Sequence, residues 1–85
     1  MKEDLYIPND EMELIDRMKN NGFKGEIYFE KGIIYWKNKE KEVWQIILNN
    51  NPDEAYVIVP SGAHDHVPHN ELWEYLESIN DEINQ

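Results

Sequence analysis

Lysine and arginine stop at Lys41. Residues 42–85 carry nine acids and no Lys or Arg: Glu42, Asp53, Glu54, Asp65, Glu71, Glu74, Glu77, Asp81 and Glu82. Residues 1–41 hold all eight bases and the other nine acids, so nearly the whole net charge of -10 belongs to the second half. Such a concentration of one sign repels itself and works against the compact state. It also argues against direct binding to nucleic acid or to an anionic membrane, because both need Lys and Arg against phosphate. A basic partner is expected instead, either a nuclease or another nucleic-acid-binding protein.

Cysteine is absent. That excludes disulfides, thiolate zinc sites and a cysteine nucleophile. Threonine is absent too, and the serines are Ser61 and Ser78. Ser61, His64 and Asp65 are close in sequence, but a Gly-containing loop offers no rigid frame to hold a base between nucleophile and carboxylate. There is no P-loop and no G-x-G-x-x-G pattern. The expectation is a protein that is not an enzyme and needs no cofactor. No apolar run approaches the ~18 residues of a membrane span. The start, Met1-Lys2-Glu3-Asp4, lacks the apolar stretch of a signal peptide. A cytoplasmic protein is expected.

What is present is enough to fold. Hydrophobic residues make up 40% of the chain and aromatics 12%, well above the composition of a disordered segment. Eighty-five residues make one domain, residues 1–85. Residues 10–21 read as a helix. Asp10 and Glu13 form a D-x-x-E capping box, Leu14, Ile15 and Met18 give an apolar stripe, and Gly22 closes it. Residues 25–60 read as four strands: 25–30, 33–37, 43–48 and 55–59. A two-residue turn at Lys31-Gly32 pairs Phe29 with Ile34, Ile27 with Trp36 and Glu26 with Lys37. A three-residue loop, 39–41, sets Trp36 opposite Trp44 and Ile34 opposite Ile46. Ile27, Phe29, Ile34, Trp36, Trp44, Ile46 and Leu48 then share the core face, and Tyr28, Tyr35, Gln45 and Tyr56 the other. Residues 67–83 read as a second helix with Leu72, Leu76, Ile79 and Ile83 within about 60° of one another. Pro68 falls in its first turn, with Asn70 as a second candidate for the cap. The expected fold is α+β: helix, four-stranded antiparallel β-meander, helix, both helices on one face of the sheet.

Four groups of residues carry possible chemistry. Glu71, Glu74, Glu77 and Asp81 line one side of the second helix, roughly 4.5–6 Å apart along its axis, with no base three or four positions away. Together with Asp53 and Glu54 they suit a cleft built for a phosphate backbone; a solvated acidic face is the plainer reading. Tyr28 and Tyr35 form a cross-strand pair on the face away from the core, suited either to a protein contact or to strand stability. His64, Asp65, His66 and His69 could bind zinc or nickel, or could be a polar lead-in to the helix. Lys37, Lys39 and Lys41 alternate at a hairpin tip. They keep an edge soluble and, with the acidic half, make the molecule a dipole.

These features point to a small acidic protein that inhibits a basic, nucleic-acid-binding protein by charge mimicry, as phage and mobile-element counter-defence inhibitors do. The partner-binding set is Glu71, Glu74, Glu77, Asp81, Asp53, Glu54, Tyr28 and Tyr35. The same electrostatics suit an immunity protein for a basic nuclease toxin. A metal-binding protein built on His64, Asp65, His66 and His69 is the reading of a different class.

Overall fold

A computed structural model describes residues 6–83. Its elements are α1 (Glu11–Asn20), β1 (Glu26–Glu30), β2 (Ile33–Lys37), β3 (Val43–Ile47), β4 (Glu54–Ile58), β5 (His64–Pro68) and α2 (His69–Ile83). The strands form one antiparallel sheet in the order β1-β2-β3-β4-β5.

Local chemistry sets the first half as the sequence predicts. An Asp10 carboxylate oxygen accepts from the Glu13 N–H at 2.8 Å, capping α1. Glu13 reaches back one residue further than a simple capping box, accepting from the Asn9 N–H at 2.8 Å. At the other end Gly22 has φ +80 and the Phe23 N–H donates to the Met18 carbonyl at 3.1 Å, a Schellman closure. Lys31 and Gly32 have φ values of 54 and 82, as a type I′ turn requires. Asn38 organises the next hairpin. Its side-chain oxygen accepts from the N–H groups of Glu40 and Glu42, and Lys41 takes the left-handed conformation. All five pairs expected across β1–β2 and β2–β3 are present: Phe29 with Ile34, Ile27 with Trp36, Glu26 with Lys37, Trp36 with Trp44, and Ile34 with Ile46.

The sheet has five strands, not four. β5 occupies the segment expected to be a polar lead-in to the second helix. His and Asp do not announce a strand, and Pro discourages one. The segment is nonetheless paired along its length, from Glu54 with Pro68 to Ile58 with His64. Pro68 is tolerated because β5 is an edge strand. It therefore ends a strand rather than starting a helix, and α2 begins at His69, inside the expected 67.

Buried side chains of both helices and of one sheet face form a single core. Leu14 and Met18 from α1, Leu72 and Leu76 from α2, and Trp36 and Ile46 from the sheet are wholly buried in it. Two details differ from the expected faces. Phe29 points to the core side but is 40% exposed, because β1 is the other edge strand. On α2 the buried row is Leu72, Trp73, Leu76 and Asn80, while Ile79 and Ile83 sit partly buried at its margin. Asn80 earns its place in the core through a hydrogen bond, its Oδ1 accepting from the Lys24 N–H at 3.2 Å.

Candidate functional site

Strand order follows chain order, α1 adjoins β1, and α2 adjoins β4 and β5. A charge imbalance along the sequence therefore becomes an imbalance across the molecule. On or beside α1, β1 and β2 the bases Arg17, Lys19, Lys24, Lys31 and Lys37 are interleaved with the acids Glu11, Glu13, Asp16, Glu26 and Glu30. Asp53, Asp65, Glu71 and Glu74 lie at β4, β5 and the first turns of α2, in the half of the chain without Lys or Arg. Glu71, Glu74 and Asp81 are exposed and Glu77 is half-buried; Glu74 and Glu77 each have an interaction partner. The α2 acids receive no help from their own helix, which has no base in its last turn. The base-free half meets the mixed-charge half at the C-terminal end of α2. There Glu82 shares a hollow of about 710 Å³ with Lys24 and Lys39.

Asp65 joins this acidic side. Alternation along β5 turns His64 and His66 to the open sheet face and Asp65 and Val67 to the helix side. The Tyr75 hydroxyl donates to Asp65 Oδ2 at 2.8 Å. Burial, this hydrogen bond and the Asp65 charge together push the Tyr75 pKa well above its ordinary value. Glu71 and Glu74 border a shallow hollow with Val67, Tyr75 and Ser78. Asp65, Glu71 and Glu74 thus ring the seam between β5 and α2. The H-D-H spacing groups Asp65 with the histidines, whereas strand alternation along β5 turns it to this side.

The expected partner-binding set is divided between two faces. Tyr28 and Tyr35 stack on the open side of the sheet, ring centroids 5.2 Å apart and 20° from parallel. The acids of α2 lie in the helix layer, on the other side of the sheet. Glu54 belongs to the open face as well, with its Oε1 3.5 Å from His66 Nδ1. Asp53 is exposed in the turn before β4, and its carbonyl accepts from the His69 N–H at the start of α2. Asp53 therefore adjoins the acids of α2, while Glu54 and the tyrosines do not.

The histidine cluster separates in the same way. His64 and His66 flank Tyr56, with ring centroids 5.2 and 4.9 Å from it, and His64 Nδ1 is hydrogen-bonded to the Tyr56 hydroxyl. His69 is elsewhere, its Nε2 held by the Leu48 carbonyl at 2.8 Å. The four residues of the expected metal set do not converge. Among the described residues no group of three or more His, Asp or Glu side chains is placed to hold a metal ion. No described helix is long and apolar enough to cross a membrane.

No protein-family model matches the chain, and neither a curated protein nor a solved structure does.

Proposed function

We propose that this chain is a small acidic binding protein that occupies the cationic surface of a nucleic-acid-binding partner. The observation that supports it is the meander order, which gathers β4, β5 and the start of α2, with no Lys or Arg among them, at one edge of the sheet. Asp65, Glu71, Glu74 and Asp81 would meet Lys and Arg of the partner, with Asp53 extending the surface past the start of α2. The mechanism is occupancy: carboxylates stand where phosphates would stand, and the partner loses access to nucleic acid. Long-range steering of such an encounter weakens with salt, because the Debye length falls from about 10 Å at 0.1 M to about 3 Å at 1 M.

The test uses the immobilised chain and proteins of its native host. A partner captured in this way should elute as salt rises and be displaced by duplex DNA. The combination Glu71→Lys, Glu74→Lys and Asp81→Lys should weaken capture at least about tenfold, mainly through the association rate. A captured partner that is indifferent to salt, to duplex DNA and to this variant would sink the reading.

A further inference from the structure

β1 is an edge strand: among the described residues it pairs with β2 and with no strand on its other side. Antiparallel pairs alternate between hydrogen-bonded and non-hydrogen-bonded. The two-residue turn closes on Glu30 and Ile33 as a hydrogen-bonded pair, so Tyr28–Tyr35 and Glu26–Lys37 are hydrogen-bonded pairs too. The N–H and C=O groups of Ile27 and Phe29 therefore point away from the sheet. The opposite edge is protected: β5 is largely polar and its Pro68 has no N–H to offer. β1 has neither proline nor lysine within its bounds. Its two aromatic rings project to opposite faces, Tyr28 44% and Phe29 40% exposed. One added strand would cover both.

Charge selects the occupant. Glu26, Tyr28 and Glu30 share the open face of β1, with the two carboxylates four positions apart. Full-length antiparallel pairing with a second copy of β1, centred on Tyr28, would set Glu26 of each copy opposite Glu30 of the other. Like charges directly opposite destabilise a ladder. A strand with cations at those two positions reverses the sign, and β2 already follows that rule by placing Lys37 opposite Glu26.

We propose that β1 receives an extended segment of another protein as a sixth, antiparallel strand. The segment carries Lys or Arg at two positions four residues apart, with apolar residues between them. This surface is the outer edge of β1 and uses none of the β5 and α2 carboxylates, so it stands independently of the acidic-end reading above.

The probe is the peptide Ser-Lys-Val-Tyr-Val-Lys-Ser, titrated into the 15N-labelled full chain. Its central residue faces Tyr28, its lysines face Glu26 and Glu30, and its valines bond to Ile27 and Phe29. The amides of Ile27 and Phe29 should shift and exchange more slowly with solvent. A version with Glu in place of both Lys should bind about tenfold more weakly. A version N-methylated at both valines should not bind. Glu26→Gln plus Glu30→Gln, shown to be folded by the same spectra, should abolish discrimination between the Lys and Glu peptides. Four results would each overturn the proposal: equal binding of the Lys and Glu peptides by the unaltered chain, undiminished binding of the N-methylated peptide, no response at Ile27 and Phe29 at millimolar peptide, or shifts confined to β5 and α2. Concentration-dependent protection of Ile27 and Phe29 without peptide would assign the edge to a second copy and overturn it as well.

Discussion

Asn80 Oδ1 accepts a hydrogen bond from the backbone N–H of Lys24, a residue 56 positions earlier, at 3.2 Å. The Lys24 carbonyl is held in turn by Trp36 Nε1 at 2.7 Å. Both backbone groups of this one junction residue are thus satisfied by side chains from other elements. The α1–β1 connection is fixed to α2 on one side and to the C-terminal part of β2 on the other.

Replacing Asn80 with Ala should cost about 1–2 kcal/mol, because the Lys24 N–H loses its acceptor in a partly buried place. Urea unfolding followed by tryptophan fluorescence would measure it. Asn80→Asp keeps an acceptor and should cost less at neutral pH than Asn80→Ala.

Gly25 is the next residue, and there the backbone itself forbids a side chain. Its φ is +105, and a Cβ would lie 2.3 Å from the Lys37 carbonyl oxygen. Gly25→Ala should destabilise the fold by about 2–3 kcal/mol, combining a left-handed backbone with a clash against an unyielding strand. Gly22→Ala has open space around its Cβ and bears only the conformational cost, so its midpoint shift should be smaller.

The Arg17 guanidinium lies 4.0 Å from the Tyr6 ring centroid and 4.8 Å from that of Trp73, while Tyr6 and Trp73 meet edge to face at 5.6 Å. This cluster joins α1 to α2 at their outer surface. Arg17→Ala should lower stability by about 1 kcal/mol. Arg17→Lys keeps the charge but not the flat stacking group, and should recover only part of that loss in a thermal melt.

Raised pKa values predict the alkaline limb of stability. The native state holds the Tyr75 proton more tightly than the unfolded chain, whose tyrosines titrate near 10.0. The contribution of Tyr75 is therefore complete below that pH. It is lost as pH climbs from there toward the higher native value. Tyr75→Phe should flatten this limb, and a spectrophotometric titration of the folded protein should lose its highest-pH phenol component.

Asp81 is exposed in the last turn of α2, beside the negative pole of a helix with no base in that turn. Asp81→Lys should raise stability by about 0.3–1 kcal/mol. If the acidic end is the contact surface proposed above, the same change weakens partner capture. A more stable protein that binds less well is the outcome expected when a surface is shaped for recognition.

How much of this was legible depends on how local each signal is. The Lys31-Gly32 turn and the alternation around it gave the β1–β2 register, and the Trp36–Trp44 pairing followed from one loop length. β5 was not legible because Val67 is the one strand former in His-Asp-His-Val-Pro; its pairing with β4 supplies what propensity does not. Asn80 was hidden for a related reason. A polar residue on an apolar row reads as the edge of the row until its partner, 56 positions away, is known. The acidic set was visible as composition. Its division between two faces was not, since that follows from where α2 lands on the sheet. The position of Asp65 depended in the same way on β5 being a strand.

The nearest-neighbour strand order has a kinetic consequence. Every strand meets a partner already close to it in the chain, so the sheet can zip from hairpin to hairpin without closing a long loop. Topologies dominated by local pairings cross their folding barrier quickly. The step that must wait is the docking of α2, whose Asn80 has to find Lys24 across most of the chain's length. Substitutions in the hairpins should therefore slow folding, while those at Asn80 should chiefly speed unfolding.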